Sequence, residues 1–199
     1  MHVLVVDAHG FNTPGKVSPD RSHHEWEWSR AFCLDLMKRV EGLGLSAHYI
    51  NPETNDIPIS VSAARANGYA LQYGKRNCLL ISPHNNAAPP NDGDWHNAEG
   101  FLAYVHTKAS QQACRLAYLM DQLAVQYNLK GNRAYNQEGF LRANFGILRE
   151  TIMPAVLTEN LYQDNKNDLA KLHDPHFYDL LLNIHVLAIR EYVDNKLYL

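Results

Sequence analysis

Two histidines and two glutamates stand where an α/β sheet would gather them. His9 follows an apolar run at residues 3–6, within Asp7-Ala8-His9-Gly10. His84 follows a second run at residues 78–81, within Ser82-Pro83-His84-Asn85-Asn86. Glu159 follows a third run at residues 155–158, and Glu25 opens the helical segment after the first. In open α/β sheets, sites form beyond the carboxyl ends of the strands, and parallel strands would bring these residues to one edge. Two imidazoles and a carboxylate are a ligand set for a catalytic Zn²⁺ that keeps one position open for water. A further, free carboxylate would then serve as general base. Taken singly, each histidine reads equally as a loop residue with ordinary hydrogen bonds. From the residues alone both readings stand.

The elements that must position these groups are legible as apolar runs and periodicities. Short uninterrupted runs read as strands buried on both faces; they predict strands at residues 3–6, 46–50, 78–81, 101–105, 145–148 and 155–158. Trp28, Phe32, Met37 and Val40 recur at near-helical spacing, and Gly44 closes a predicted helix over residues 25–43. Leu116, Leu119, Met120 and Leu123 share one face of a second helix at 111–127. Two more are predicted at 60–73, stopped by Gly74, and at 180–193. Residues 87–99 and 131–144 read as loop. Strands alternating with helices predict a single-domain α/β fold over residues 1–199, with a mainly parallel twisted sheet flanked by helices.

Composition narrows the function classes. With 199 residues, 46% of them hydrophobic, the chain can bury a core without disulfides. A net charge of −3 argues against nucleic acid as a partner, which would call for a basic face. Cys33, Cys78 and Cys114 fit neither a disulfide framework nor zinc spacing and read as small core residues. No apolar run approaches the ~18 residues of a membrane span. The opening MHVLVVDAHG lacks a basic region and a cleavage site, so the expectation is synthesis in the cytoplasm without a signal peptide.

Five motifs then fall in order between about residues 3 and 172. They are Asp7-Ala8-His9-Gly10; Gly15-Lys-Val-Ser-Pro-Asp20 with Glu25-Trp-Glu-Trp-Ser-Arg30; Ser82-Pro83-His84-Asn85-Asn86-Ala87; Trp95-His96-Asn97-Ala98-Glu99-Gly100; and Leu148-Arg149 through Pro154-Ala155-Val156-Leu157 to Glu159-Asn160. The set resembles the zinc-dependent N-acetylmuramoyl-L-alanine amidases of the amidase-3 type, in particular the single-domain forms of phage endolysins. The resemblance implies one Zn²⁺ per chain held by His9, Glu25 and His84, with Glu159 as the catalytic acid–base. It implies cleavage of the amide between N-acetylmuramic acid and L-alanine, with peptidoglycan as the partner. Beside that implied set, Asn86 and backbone N–H groups near His84 are candidates for holding the substrate or the oxyanion. Action on the cell wall after holin-type release is the matching expectation for place.

Two residues depart from the family pattern. Ala8 stands where the family has Gly, a cost of about 1 kcal/mol if that position is left-handed. Pro83 removes an N–H from a strand end. Glu25 has rivals in His23, His24 and Glu27. Matching Trp28 and Arg30 to the phage-type pattern favours Glu25, while Glu27 should face away on the helix. His23 and His24 read as an exposed loop pair, and Trp26 as a partly buried aromatic. Two other functions remain open. A carboxypeptidase-like zinc hydrolase would need an arginine clamp from Arg65, Arg142 or Arg149. A non-catalytic wall-binding relative would keep the fold without the chemistry.

Overall fold

The computed structural model describes residues 1–90, 92–132 and 138–195. The chain runs β1 (His2–Val5), α1 (Glu25–Gly42), β2 (Ser46–Tyr49), α2 (Ile59–Tyr73), a 3-10 turn (Lys75–Asn77), β3 (Cys78–Asn86), β4 (Leu102–His106) and α3 (Gln111–Gln126). It continues through β5 (Leu141–Ala143), α4 (Gly146–Glu150), β6 (Ala155–Tyr162), α5 (Lys166–His173) and α6 (Pro175–Asp194). The six strands form one sheet in the order β2-β1-β3-β6-β4-β5, parallel except where β4 meets β6.

Both faces of the sheet are covered, which is why the strands read as continuous apolar runs. Successive side chains of a strand point to opposite faces. Val3, Val5, Leu79 and Ile81 therefore enter one core with Phe32 and Leu36 of α1, Leu116 and Met120 of α3, and Leu181 and Ile184 of α6. Leu4, Val6, Cys78 and Leu80 enter the other with Ala63, Ala66 and Ala70 of α2 and with Ile147 and Leu148 of α4. Small alanines let α2 lie close to the sheet. Cys33 and Cys78 are fully buried and Cys114 is partly so; none of the three forms a disulfide. No helix among the described residues is long and apolar enough to cross a membrane.

Several elements differ from the sequence expectation. Residues 145–148 do not form a strand: Phe145 precedes a short helix whose Ile147 and Leu148 seal the second core. A four-residue apolar run carries too little periodicity to separate the two outcomes. The stretch expected as loop at 131–144 contains β5, while residues 133–137 lie outside the described residues. Helix α5 was not anticipated; Asn165 caps it, accepting from the N–H groups of Asn167 and Asp168. Helix α6 begins five residues earlier than predicted, where Asp174 accepts from His176 N–H and Pro175 occupies the first turn. β3 and β6 each run past their apolar segments, so His84 and Glu159 sit within strands rather than beyond them.

Candidate active site

β1 ends at Val5, and His9 follows in the left-handed region with φ 60°. The left-handed conformation therefore falls on the histidine and not on Ala8, which is fully buried with an ordinary φ. The Ala8 departure carries no such cost. A non-glycine residue held there is strained by about 1–2 kcal/mol, and such strain persists only where the surroundings fix it. They do so here: a Cβ on Gly10 would lie 2.0 Å from the backbone nitrogen of Asp56. That close approach requires glycine at the end of the first motif.

Glu25 is the first residue of α1. Its N–H donates to the Lys16 carbonyl at 3.1 Å, and Val17 bridges His24, so the incoming loop anchors the helix start. The Glu25 side chain turns inward and is 2% exposed. Its Oε2 lies 3.4 Å from His9 Nε2 and its Oε1 3.0 Å from His84 Nδ1. One ligand atom from each of the three residues falls within 4.8 Å of the others. The two imidazole rings stand edge to face, 5.4 Å apart. Glu159 of β6 is in register with His84 of β3, so the two are neighbours on one face of the sheet. One extra residue follows in β6 before Asn86 pairs with Tyr162, and Leu161 there is left-handed at φ 68°. Bulges of this kind re-aim side chains beside functional sites.

The electrostatics follow from burial and proximity. Desolvation pushes His9 down to about 4, so it is a neutral imidazole at physiological pH. Burial alone would raise Glu25, but the hydrogen bond and charge of His84, with His9, outweigh it and hold the carboxyl below its usual range. The same contact lifts His84 above its ordinary value, against the desolvation that would lower it. Desolvation and the neighbouring Glu25 push Glu159 up to about 8, opposed by His84. Glu159 Oε2 is buried with no hydrogen-bond partner.

The structure thus brings His9, Glu25, His84 and Glu159 together. Glu27 and His24 are exposed and take no part. Asn86 lies two residues beyond His84 on β3; its Oδ1 accepts from the Ala87 N–H at 2.9 Å. Trp26 is partly buried and meets Phe11 edge-on. His23 is not an exposed loop residue. It is buried, with Nε2 donating to Asn85 Oδ1 at 2.9 Å and Nδ1 3.3 Å from His173 Nε2. Asn85 in turn donates to the Asn160 carbonyl, so a polar chain backs the site. A pair of adjacent histidines in a polar loop gives no local sign of this, because the partners lie 62 and 150 residues away. Asp7 was also missed: buried, it accepts from Tyr49 Oη at 2.5 Å and faces Arg30 at 3.6 Å. The arginines considered for a carboxylate clamp are engaged elsewhere, Arg65 with Glu53, Arg142 with Glu138 and Arg149 with Glu150.

Fold and site define a class: an α/β protein with a His–Glu–His cluster, its glutamate buried and its histidines partly exposed, suited to a divalent cation and with a fourth carboxylate beside it. The chain belongs to the N-acetylmuramoyl-L-alanine amidase family (Amidase_3), whose family model matches residues 3–191. It is 45% identical over 183 residues to the N-acetylmuramoyl-L-alanine amidase CwlM of Bacillus licheniformis, covering 92% of this chain and 65% of that protein. It is 32% identical over 124 residues to the endolysin of Bacillus phage SPP1, covering 59% of this chain and 41% of that one. The chain therefore spans less than two thirds of the length of either curated relative. The crystal structure of an N-acetylmuramoyl-L-alanine amidase from Clostridium difficile 630 superposes with a TM-score of 0.81 at 22% identity, covering 98% of both chains. The shared fold includes the mainly parallel sheet flanked by helices.

Proposed function

We propose that this chain is a single catalytic domain that hydrolyses the amide between N-acetylmuramic acid and L-alanine in peptidoglycan, using one Zn²⁺ held by His9, Glu25 and His84. The observation that carries the reading is the convergence of three donor atoms within 4.8 Å with Glu159 in register beside them. The donor set fits the ion. His9 is in the neutral form that ligates metals, two imidazoles with one carboxylate suit zinc better than calcium or magnesium, and an orphaned carboxylate oxygen of Glu159 lies close by. Bound there, zinc would polarise the scissile carbonyl and acidify a water.

The chain's own residues supply the rest. Glu159 takes a proton at its carboxylate from the attacking water and delivers it to the leaving amide nitrogen, so that L-alanine departs as a neutral amine. To act as base the carboxyl must be ionised, which a cation held by His9, Glu25 and His84 would favour against the burial that raises it. Asn86 has its Oδ1 engaged by the Ala87 N–H, which leaves the amide NH₂ as the group offered to substrate. The similarity to a phage endolysin supports the cell wall as the place of action, and holin-type release is the route this reading proposes. The test is digestion of purified peptidoglycan with and without a chelator, followed by mass spectrometry. The expected products are stem peptides with a free L-alanine amine and glycans with free lactyl carboxylates. Cleavage inside the stem peptide, or activity indifferent to chelation, would overturn the reading.

A further inference from the structure

The β1–β3 ladder stops one rung short of the site, and what replaces its rungs is specific. Val6 N–H donates to the Ile81 carbonyl at 3.0 Å. In a parallel ladder the next three rungs would be residue 83 N–H to the Val6 carbonyl, Ala8 N–H to the Pro83 carbonyl, and Asn85 N–H to the Ala8 carbonyl. None of the three takes that form. Pro83 has no N–H, and Ser82 Oγ donates to the Val6 carbonyl instead, at 3.1 Å. Ala8 N–H donates to Ser29 Oγ at 2.8 Å, and that hydroxyl donates onward to the Pro83 carbonyl at 2.5 Å. Asn85 N–H donates to Glu25 Oε1 at 3.2 Å. The two residues inserted from α1, Glu25 and Ser29, are four apart and share one helix face.

We infer that Ser29 is a positioning residue for the metal centre: its hydroxyl is wedged between the ends of β1 and β3 and sets the separation of His9 and His84. Its bonds to Ala8 and to Pro83 are each made to the residue immediately before a candidate ligand. Ser29 is fully buried, so no water can take its place without rearrangement. A direct Ala8–Pro83 bond would draw the strand ends together and close the space the imidazoles share. The wedge also explains the Pro83 departure, since a residue with an N–H there would favour the unsplayed ladder.

This inference rests on the zinc reading above, and the experiment separates the two. Zinc affinity is measured by chelator competition on the full chain, and the cobalt-substituted protein is read by its visible absorption, which reports coordination geometry. Ser29→Ala should bind zinc about 10–100-fold more weakly, as is typical when a group orienting ligands is lost, with a changed cobalt spectrum. Ser29→Thr keeps the hydroxyl and should restore both. Ser62→Ala is the control: it removes the buried hydrogen bond that Ser62 of α2 donates to Asn51, and should lower stability while leaving affinity and spectrum unchanged. Wild-type affinity and spectrum in Ser29→Ala would overturn the role of Ser29, as would a Thr variant as weak as the Ala variant. An unsubstituted chain that binds no zinc would overturn the metal reading itself and this inference with it.

Discussion

Glu159→Gln should make the metal-free protein more stable and the enzyme far slower. Burial raises the Glu159 carboxyl to about 8, against about 4.5 when exposed in the unfolded chain. Between those values the folded state holds a proton that the unfolded state has released, so stability falls as pH rises through this window. At about 1.4 kcal/mol per pH unit, wild type at pH 7 is destabilised by roughly 3 kcal/mol relative to a group that never ionises. Glutamine is such a group and has nearly the same shape. For a domain of this size, 1 kcal/mol corresponds to about 2–4 °C in Tm, so the metal-free variant should melt roughly 6–12 °C higher. The gain should shrink towards zero near pH 4.5 and stay level above pH 8. Calorimetry across pH 4.5–9 in the presence of chelator measures it. With metal restored, turnover should fall by about 10²–10⁴ for loss of acid–base assistance, while zinc content holds. A variant with unchanged Tm at pH 7 would refute the burial argument. One with near-normal turnover would remove Glu159 from the chemistry, and one that loses zinc would make it a ligand.

Three further outcomes follow from the site and core. His9→Ala and His84→Ala should each abolish stoichiometric zinc and activity together, because two remaining ligands hold zinc poorly; metal analysis of the purified variants decides, and one zinc per chain in either would break the assignment. Glu25→Ala should lose metal, whereas Glu27→Ala and His24→Ala, both exposed, should bind it normally; the reverse pattern would show the ligand lies elsewhere on the helix. His185 is fully buried, donates from Nδ1 to the Leu181 carbonyl and accepts at Nε2 from Thr158 Oγ1. Desolvation lowers it to about 4, so the unfolded state binds an extra proton below about pH 6.5. The contribution of His185 to stability should therefore drop by about 3 kcal/mol as pH falls from 6.5 to 4. Denaturant titrations should show that slope reduced in His185→Gln, and an unchanged slope would place the titrating group elsewhere.

The four residues of the site were readable because each is tied to a local signal. Glu159 comes directly after the run at 155–158, His9 and His84 each lie three positions past the end of a four-residue apolar run, and Glu25 begins a helix with clear periodicity. Alternating strands and helices then oblige parallel β1, β3 and β6 to deliver them to one sheet edge. The sequence by itself therefore placed these groups at one sheet edge, while the choice of a metal centre over ordinary loop residues, and of Glu25 over its neighbours, came from the motif resemblance. What only the tertiary structure decided is how they are held. The burial of His23, the Asn85–Asn160 chain behind Glu25, the pairing of Asp7 with Tyr49, and the serine wedged between two strand ends all join residues far apart in the chain. Some partners are side chains 42 to 150 residues away, and others are backbone amides and carbonyls, which are the same at every position and leave no mark in residue type. The same holds for α4, where Ile147 and Leu148 could seal a core from either a strand or a helix. Apolar periodicity specifies an element only when the run is long enough to repeat; below that length, the space left by the neighbouring elements makes the choice.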